Sequence, residues 1–359
     1  MINTKSCEWL LQNADAPVRY RVARELLKDD SLANKIENEL LDHPTVKLWL
    51  RNLKPNDPPQ HWSMVHGSFD FCLENAMNKA VQLGLHAELP PVAEAVRFYI
   101  DIMNKNPAQS PYRRSDNQLG QTMIGNMLTL AGFKERAIVD CISGSLDELY
   151  GFASKGDYDI YLSDDERNGL KGVPAIWKGR KFIREHLFAD GPVYPLIYDI
   201  IALHKLYADK NPDTDEKINA VIGYISTDEF HERIEDGYGI VICNNGTKYY
   251  GMGWDPKYPG WFDVKSYMEN VSPQKLLFFA QYISNYPAAQ KTRWFAELLD
   301  YLDTYKTENN TYLFPASWLK ETKGYAVQGH HLSFGENRRN KNWAETESTF
   351  YMQILRHKA

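Results

Sequence analysis

Two kinds of helix alternate along this chain, distinguished by how their apolar residues recur. The first kind is one-sided. After Asp15 as N-cap and Pro17 in the first turn, Val18, Val22 and Leu26 keep helical spacing while Arg19, Arg24, Glu25 and Lys28 face water. The pattern returns at 91–104, at 216–226 through Ile218, Val221, Ile222 and Ile225, and at 292–305 through Phe295, Leu298, Leu299 and Leu302. The second kind is apolar nearly all round. From Ser115 to Phe133 the only charge is Asp116, beside a Ser115 to Gln118 capping box, and Gly132 marks the stop. Because that helix also carries Gln121, Thr122, Asn126 and Thr129, it belongs among other helices rather than in lipid. Segments of this kind are predicted to begin near residues 68, 116, 192, 273 and 345, each with polar groups crowded at its mouth.

That alternation predicts an all-α fold, an α/α toroid with an inner ring of helices inside an outer ring, formed by residues 1–359 as a single domain. An irregular α-solenoid would stack the same helices linearly, but no repeat of about 34 or 40 residues is visible. Two long connections, 151–180 and 229–270, are too aromatic to be disordered, and loops of such length in a compact domain usually serve a site. Within the second, residues 240–243 and 248–250 flank Asn244-Asn245-Gly246-Thr247, which predicts a small β-hairpin with a type I′ turn.

Composition narrows the function classes. Of the 359 residues 43% are hydrophobic, enough for a sizeable core, and a formal charge of −6 argues against a general nucleic-acid binder, which needs a basic face. No uninterrupted apolar run of about 18 residues offers a membrane span, and the opening MINTKSCEWLLQNADAP lacks the apolar stretch of a secretory signal. A cytoplasmic protein is expected. Cys7, Cys72, Cys141 and Cys243 lie far apart without Cys-x-x-Cys spacing, so free, mostly buried thiols are expected rather than a zinc knuckle or a redox pair.

Several segments resemble a known superfamily. Trp9-Leu10-Leu11 with Ala16-Pro17-Val18-Arg19-Tyr20, then His66-Gly67-Ser68-Phe69-Asp70 leading to a helix that closes at Leu83-Gly84, and finally Gly324-Tyr325 and Trp343-Ala344-Glu345, are similar to the terpenoid cyclase and protein prenyltransferase α/α-toroid superfamily, particularly its short bacterial members. The resemblance spans essentially the whole chain and implies a double ring with a lyase- or isomerase-like activity. The aspartate-rich Asp-x-Asp-Asp acid of class II cyclases has no counterpart, since Asp157, Asp159, Asp164 and Asp165 do not reproduce its spacing. Nor does any Asp, Cys and His trio align with the prenyltransferase zinc ligands. No metal and no other cofactor is therefore expected.

Four constellations could carry chemistry. In the first, His61, Trp62, His66, Asp70 and Glu74, a helix starting near Ser68 would put Asp70 in its first turn and Glu74 one turn later on the same side. That reads as a histidine and carboxylate pair for proton transfer, or as plain capping by Ser68 and Asp70. The second is the glycine-punctuated stretch 329–339, with His330, His331, Glu336, Arg338 and Arg339. Guanidinium forks suit carboxylate or phosphate, although a solvated surface loop would look the same. The third, Tyr249, Tyr250, Trp254 and Asp255 around Gly251 and Gly253, offers flat faces to a ring-shaped or unsaturated ligand, or merely packs a core. Arg113 and Arg114 mark another helix mouth, and Glu345 opens the last helix.

The leading expectation is an enzyme performing acid–base chemistry on a small, partly apolar or cyclic organic substrate, with His66, Asp70, Asp255 and Glu336 as proton carriers. Arg113, Arg338 and Arg339 would anchor an anionic end, and His61, Trp62, Tyr249, Tyr250, Trp254, His330, His331 and Glu345 complete the expected binding set. The mouths around His66, Arg113, Trp254 and His330 should converge on one pocket. A carbohydrate-active hydrolase or lyase using two carboxylates is one alternative. A non-catalytic toroid that binds a ligand or a protein is another.

Overall fold

In the computed structural model, which describes residues 4–55, 64–105, 115–188, 192–209, 211–243 and 248–358, the chain is mostly helical. It opens with α1 (Thr4–Asn13), α2 (Ala16–Arg21), α3 (Asp30–Asp42) and α4 (Pro44–Leu53), and α2 runs on into a wider π-helical turn over Val22–Leu26. Pro17 and Pro44 occupy first turns, where a missing N–H costs no helical bond. Next come α5 (Leu73–Gln82), α6 (Pro90–Asn104), α7 (Ser115–Ala131), α8 (Arg136–Ala153), α9 (Asp164–Asn168), α10 (Ile197–Leu203), α11 (Pro212–Ile225) and α12 (Asp228–Arg233). A hairpin intervenes before α13 (Val264–Asn270), α14 (Pro273–Ile283), α15 (Pro287–Gln290), α16 (Arg293–Asp303) and α17 (Trp343–Lys358).

The five helices that form from the segments predicted to be inner, α5, α7, α10, α14 and α17, are the buried ones, and α5 and α17 bury polar side chains as well as apolar ones. They pack in chain order: α5 on α7, α7 on α10, α10 on α14 and α14 on α17. One-sided helices flank them, α4 against α5, α8 against α7 and α13 against α14. The ends of the five buried helices also share a direction. Gln82, Leu130 and Ile354, from the C-terminal parts of α5, α7 and α17, meet Lys205 and Asn285, just past the ends of α10 and α14, around one cleft.

Three of the predicted starts, near 116, 273 and 345, fall within two residues of α7, α14 and α17, but the starts near 68 and 192 come five residues late, at Leu73 and Ile197. Local hydrogen bonds explain both delays. Asn75 Nδ2 donates to the Gly67 and Phe69 carbonyls at 2.8 and 2.9 Å, holding the preceding residues in turns, so Asp70 sits in a loop and not in a first helical turn. Pro195 has no N–H to donate, and the Asp199 carboxylate accepts the Leu196 N–H at 2.8 Å, which starts α10.

Asp15 takes the N-cap position of α2 as expected, yet its side chain caps nothing there and instead accepts the Asn337 N–H at 2.7 Å. That contact joins the two ends of the chain, as does the packing of α1 on α17. Strands β1 (Gly239–Cys243) and β2 (Lys248–Met252) pair antiparallel with Ile242 opposite Tyr249, as the apolar runs predicted; the turn at 244–247 lies outside the described residues. The hairpin rests on a small cluster of Phe182, Ile240 and Ile242, separate from the main core, which extends from Cys7 to Leu355. Cys7, Cys72 and Cys141 are free thiols that burial pushes up to about 11, and the Cys243 side chain lies outside the described residues. Among the described residues no helix is long and apolar enough to cross a membrane.

Candidate functional site: a histidine, glutamate and tyrosine array

Glu74 is the second residue of α5 and Tyr198 the second of α10, so both stand at the N-terminal ends of buried helices. The Glu74 side chain is 1% exposed, and a carboxylate so buried must be compensated. It accepts the Gly67 N–H at 2.7 Å and the Tyr198 hydroxyl at 2.5 Å, and lies 2.8 Å from His66 Nδ1. Its place in the first turn of α5 adds the favourable end of the helix dipole. Burial, reinforced by the Glu74 charge, raises Tyr198 well above the ordinary tyrosine range, so its hydroxyl donates and does not ionise.

His66 stands at the boundary of the core, its side chain 17% exposed. The contact of Nδ1 with Glu74 fixes the ring in orientation. Two aromatic rings flank it: Trp254 edge-on at 4.9 Å between centroids and Tyr325 tilted at 5.3 Å. Each flank is tied to the same frame. The Trp254 carbonyl accepts the Ile197 N–H at 2.8 Å, and the Ala326 N–H donates to Asn75 Oδ1 at 2.8 Å, so Asn75 secures both the Gly67 loop and the Tyr325 segment. Further along α5, buried Lys79 pairs with Glu321 and donates to the Ser333 carbonyl, which holds the stretch on either side of Tyr325.

The expected residues divide accordingly. His66 and Trp254 come together; His61, Trp62 and Arg113 lie outside the described residues. Asp70 is partly exposed and faces His331 Nε2 at 3.8 Å, not His66. His331 itself is buried against the Trp49 ring at 5.1 Å, with Nε2 3.0 Å from the Gly324 carbonyl, and burial lowers its proton affinity: it is a neutral core histidine. His330 Nδ1 lies 2.6 Å from the Thr322 hydroxyl.

Asp255 and Glu336, expected as proton carriers, bond to backbone. Asp255 accepts the Gly237 N–H at 2.6 Å and the Lys257 N–H at 3.3 Å, which pins the chain beside Trp254, and it lines a separate cleft of about 290 Å³ with Asp236, Lys275 and Tyr267. Glu336 accepts the Asp15 N–H at 2.8 Å at the seam between the chain's two ends. Arg338 is held within the protein: it stacks over Trp343 at 3.8 Å, donates to the Leu319 carbonyl at 2.8 Å and pairs with Glu347 at 3.2 Å. Arg339 is exposed, and Glu345 accepts the Thr311 hydroxyl at 2.5 Å. Tyr249 donates to the Lys171 carbonyl at 2.6 Å and packs on the hairpin's own small cluster, while Tyr250 is exposed.

Tyr198 and Tyr325 carried no expected role. The only sequence signal for Tyr198 is a hydroxyl inside an otherwise apolar run, which must find a partner once buried. Among the described residues no group of three or more His, Cys, Asp or Glu side chains is placed to hold a metal ion. Comparison with known protein families, with curated proteins and with solved structures gives no match.

Proposed function

We propose that this chain is an enzyme whose His66, Glu74 and Tyr198 move a proton on a small, partly apolar or cyclic organic molecule held beside Trp254 and Tyr325. The observation that carries this reading is the compensated, buried Glu74 behind a histidine that stands at the edge of the core. In the proposed reaction His66 Nε2 takes a proton from substrate carbon or hydroxyl, and Glu74 balances the charge that forms on the ring. Returning that proton to another atom gives an isomerisation; losing a leaving group from the neighbouring atom gives a lyase reaction. Tyr198 keeps Glu74 aimed at His66, and the two aromatic rings would offer flat apolar surface to an unsaturated or ring-shaped substrate. The scaffold we infer is an α/α toroid of the terpenoid cyclase and protein prenyltransferase kind. Its support is the serial packing of five buried helices that run in one direction, added to the sequence resemblance. A carbohydrate-active mechanism would need a second acid facing Glu74, whereas Asp70 is turned to His331.

The test is incubation of the protein with a small-metabolite mixture in D2O, followed by mass spectrometry. The wild type is expected to convert or deuterate a compound that the Glu74→Gln variant handles roughly 100-fold more slowly or worse, with melting temperatures within a few degrees of each other. Deuteration that survives Glu74→Gln and His66→Gln, cleavage of oligosaccharides, or tight binding without turnover would each overturn the proposal.

A further inference from the structure

Gln82 lies eight residues beyond Glu74 on α5, so the proton array and the far end of that helix are separated by about 12 Å of helical rise. At the far end two clefts of about 70 and 200 Å³ sit side by side and share Glu25, Val81, Leu130 and Lys205 in their walls. The smaller one is lined by buried amides whose hydrogen bonding is incomplete among the described residues. Gln82 is 2% exposed: its Oε1 has no hydrogen-bond partner among the described residues, and its Nε2 faces the Tyr282 hydroxyl, which itself donates to Asn78 at 2.8 Å. Gln281, 6% exposed, lies in the same wall, its side-chain amide near the Tyr351 hydroxyl but with no well-aligned partner for Nε2 among the described residues. Buried amides are rarely left unsatisfied without an occupant to meet them.

Lys205 borders both clefts and pairs with no carboxylate among the described residues. The acids around it are committed elsewhere: Glu25 takes two bonds from Arg21 at 2.7 and 2.8 Å, and Glu88 takes Arg24 at 2.6 Å. Burial, opposed in part by the Glu25 charge and reinforced by the like charges of Arg21, Arg24 and Lys28, holds the Lys205 ammonium below the usual lysine range.

We propose that these clefts bind a small aliphatic carboxylate carrying a hydroxyl or amino group, its carboxylate on Lys205 and the glutamine N–H donors, its own donor on Gln82 Oε1. A phosphate is the poorer fit. The clefts lie at helix C-terminal ends, whose partial negative charge opposes a dianion, whereas phosphates favour helix N-termini. Val81, Leu130 and Ile354 supply apolar wall for an aliphatic body. In size the larger cleft exceeds the roughly 150 Å³ that accommodates a benzene ring, and the smaller one holds about two waters' worth of polar atoms.

Calorimetric titration of the full chain with valine, 2-hydroxyisovalerate, isovalerate and inorganic phosphate tests this. Valine or 2-hydroxyisovalerate should bind, isovalerate at least about tenfold more weakly because Gln82 Oε1 stays unpaired, and phosphate more weakly still. Lys205→Met should weaken the carboxylate at least about tenfold and Lys205→Arg should restore it, while Gln82→Leu should abolish the preference for the substituted acid. If Gln82→Leu does not fold, the lysine pair at its partly exposed position decides. Failure of every carboxylate to bind, phosphate binding as tightly as the acids, or an unchanged affinity in Lys205→Met would each overturn the assignment. Glu74→Gln should leave this binding intact, which separates the two sites.

Discussion

A buried carboxyl group is either compensated or protonated, and this protein holds both kinds. Glu74 is compensated by three donors. Glu336 is the other kind: burial first, then the charges of Asp15 and Glu347, push its carboxyl up to about 8, and its Oε2 meets no hydrogen-bond partner among the described residues. An unfolded glutamate ionises near 4.5, so between that pH and about 8 the folded protein keeps a proton that the unfolded chain has lost. The fold is therefore unpenalised below the lower value and loses stability as the pH rises towards the upper one. Glu336→Gln keeps an acceptor for the Asp15 N–H and removes the titration. Its melting temperature should match the wild type at about pH 4.5 and exceed it by several degrees at about pH 8.5, on the order of 5 kcal/mol at most. A difference that is the same at both pH values would show that Glu336 titrates normally.

At the scale of elements, two glycines with similar backbone angles do different work. Gly132 ends α7 at φ 93°, with the Phe133 N–H closing onto the Leu128 carbonyl at 3.1 Å, and a Cβ added there would meet nothing within 4 Å. Gly329 adopts φ 82° after the turn Ala326–Gln328, and a Cβ there would lie 2.3 Å from the Gln274 backbone at the start of α14. Gly132→Ala should cost only the left-handed backbone strain, about 1–2 kcal/mol. Gly329→Ala adds a clash with backbone that cannot rotate away, so a loss of roughly 3 kcal/mol or more is expected. Denaturant melts of the two variants check the ranking, and equal losses would mean that the Tyr325 segment is not pressed against α14 as described. The stop at Gly132 was legible from the sequence because glycine after an apolar run is a local signal. The pressure on Gly329 was not, since it comes from a helix some fifty residues earlier.

At the scale of the whole molecule, α1 packs on α17, and Arg21 reaches from α2 to the Gln82 carbonyl at 2.9 Å while its guanidinium lies 4.9 Å over the Phe350 ring. The beginning of the chain thus bridges α5 and α17. With a main core that extends from Cys7 to Leu355, we expect a single cooperative unfolding transition. Helical circular dichroism and tryptophan fluorescence should then give coincident denaturation curves; two separated midpoints would overturn the expectation of one domain.

The sequence by itself determined the helices and their two classes, the hairpin strands, and the candidacy of His66 and Trp254, because apolar periodicity, glycine stops and side-chain chemistry are local properties of the chain. Tertiary structure alone decided which polar groups act together. Tyr198 meets Glu74 across 124 positions, and Asp255 and Glu336 are drawn to backbone N–H groups of neighbouring segments instead of to His66. The physical reason is that a buried carboxylate takes whichever donors the packing brings within reach, and packing is settled by contacts between segments far apart in the chain.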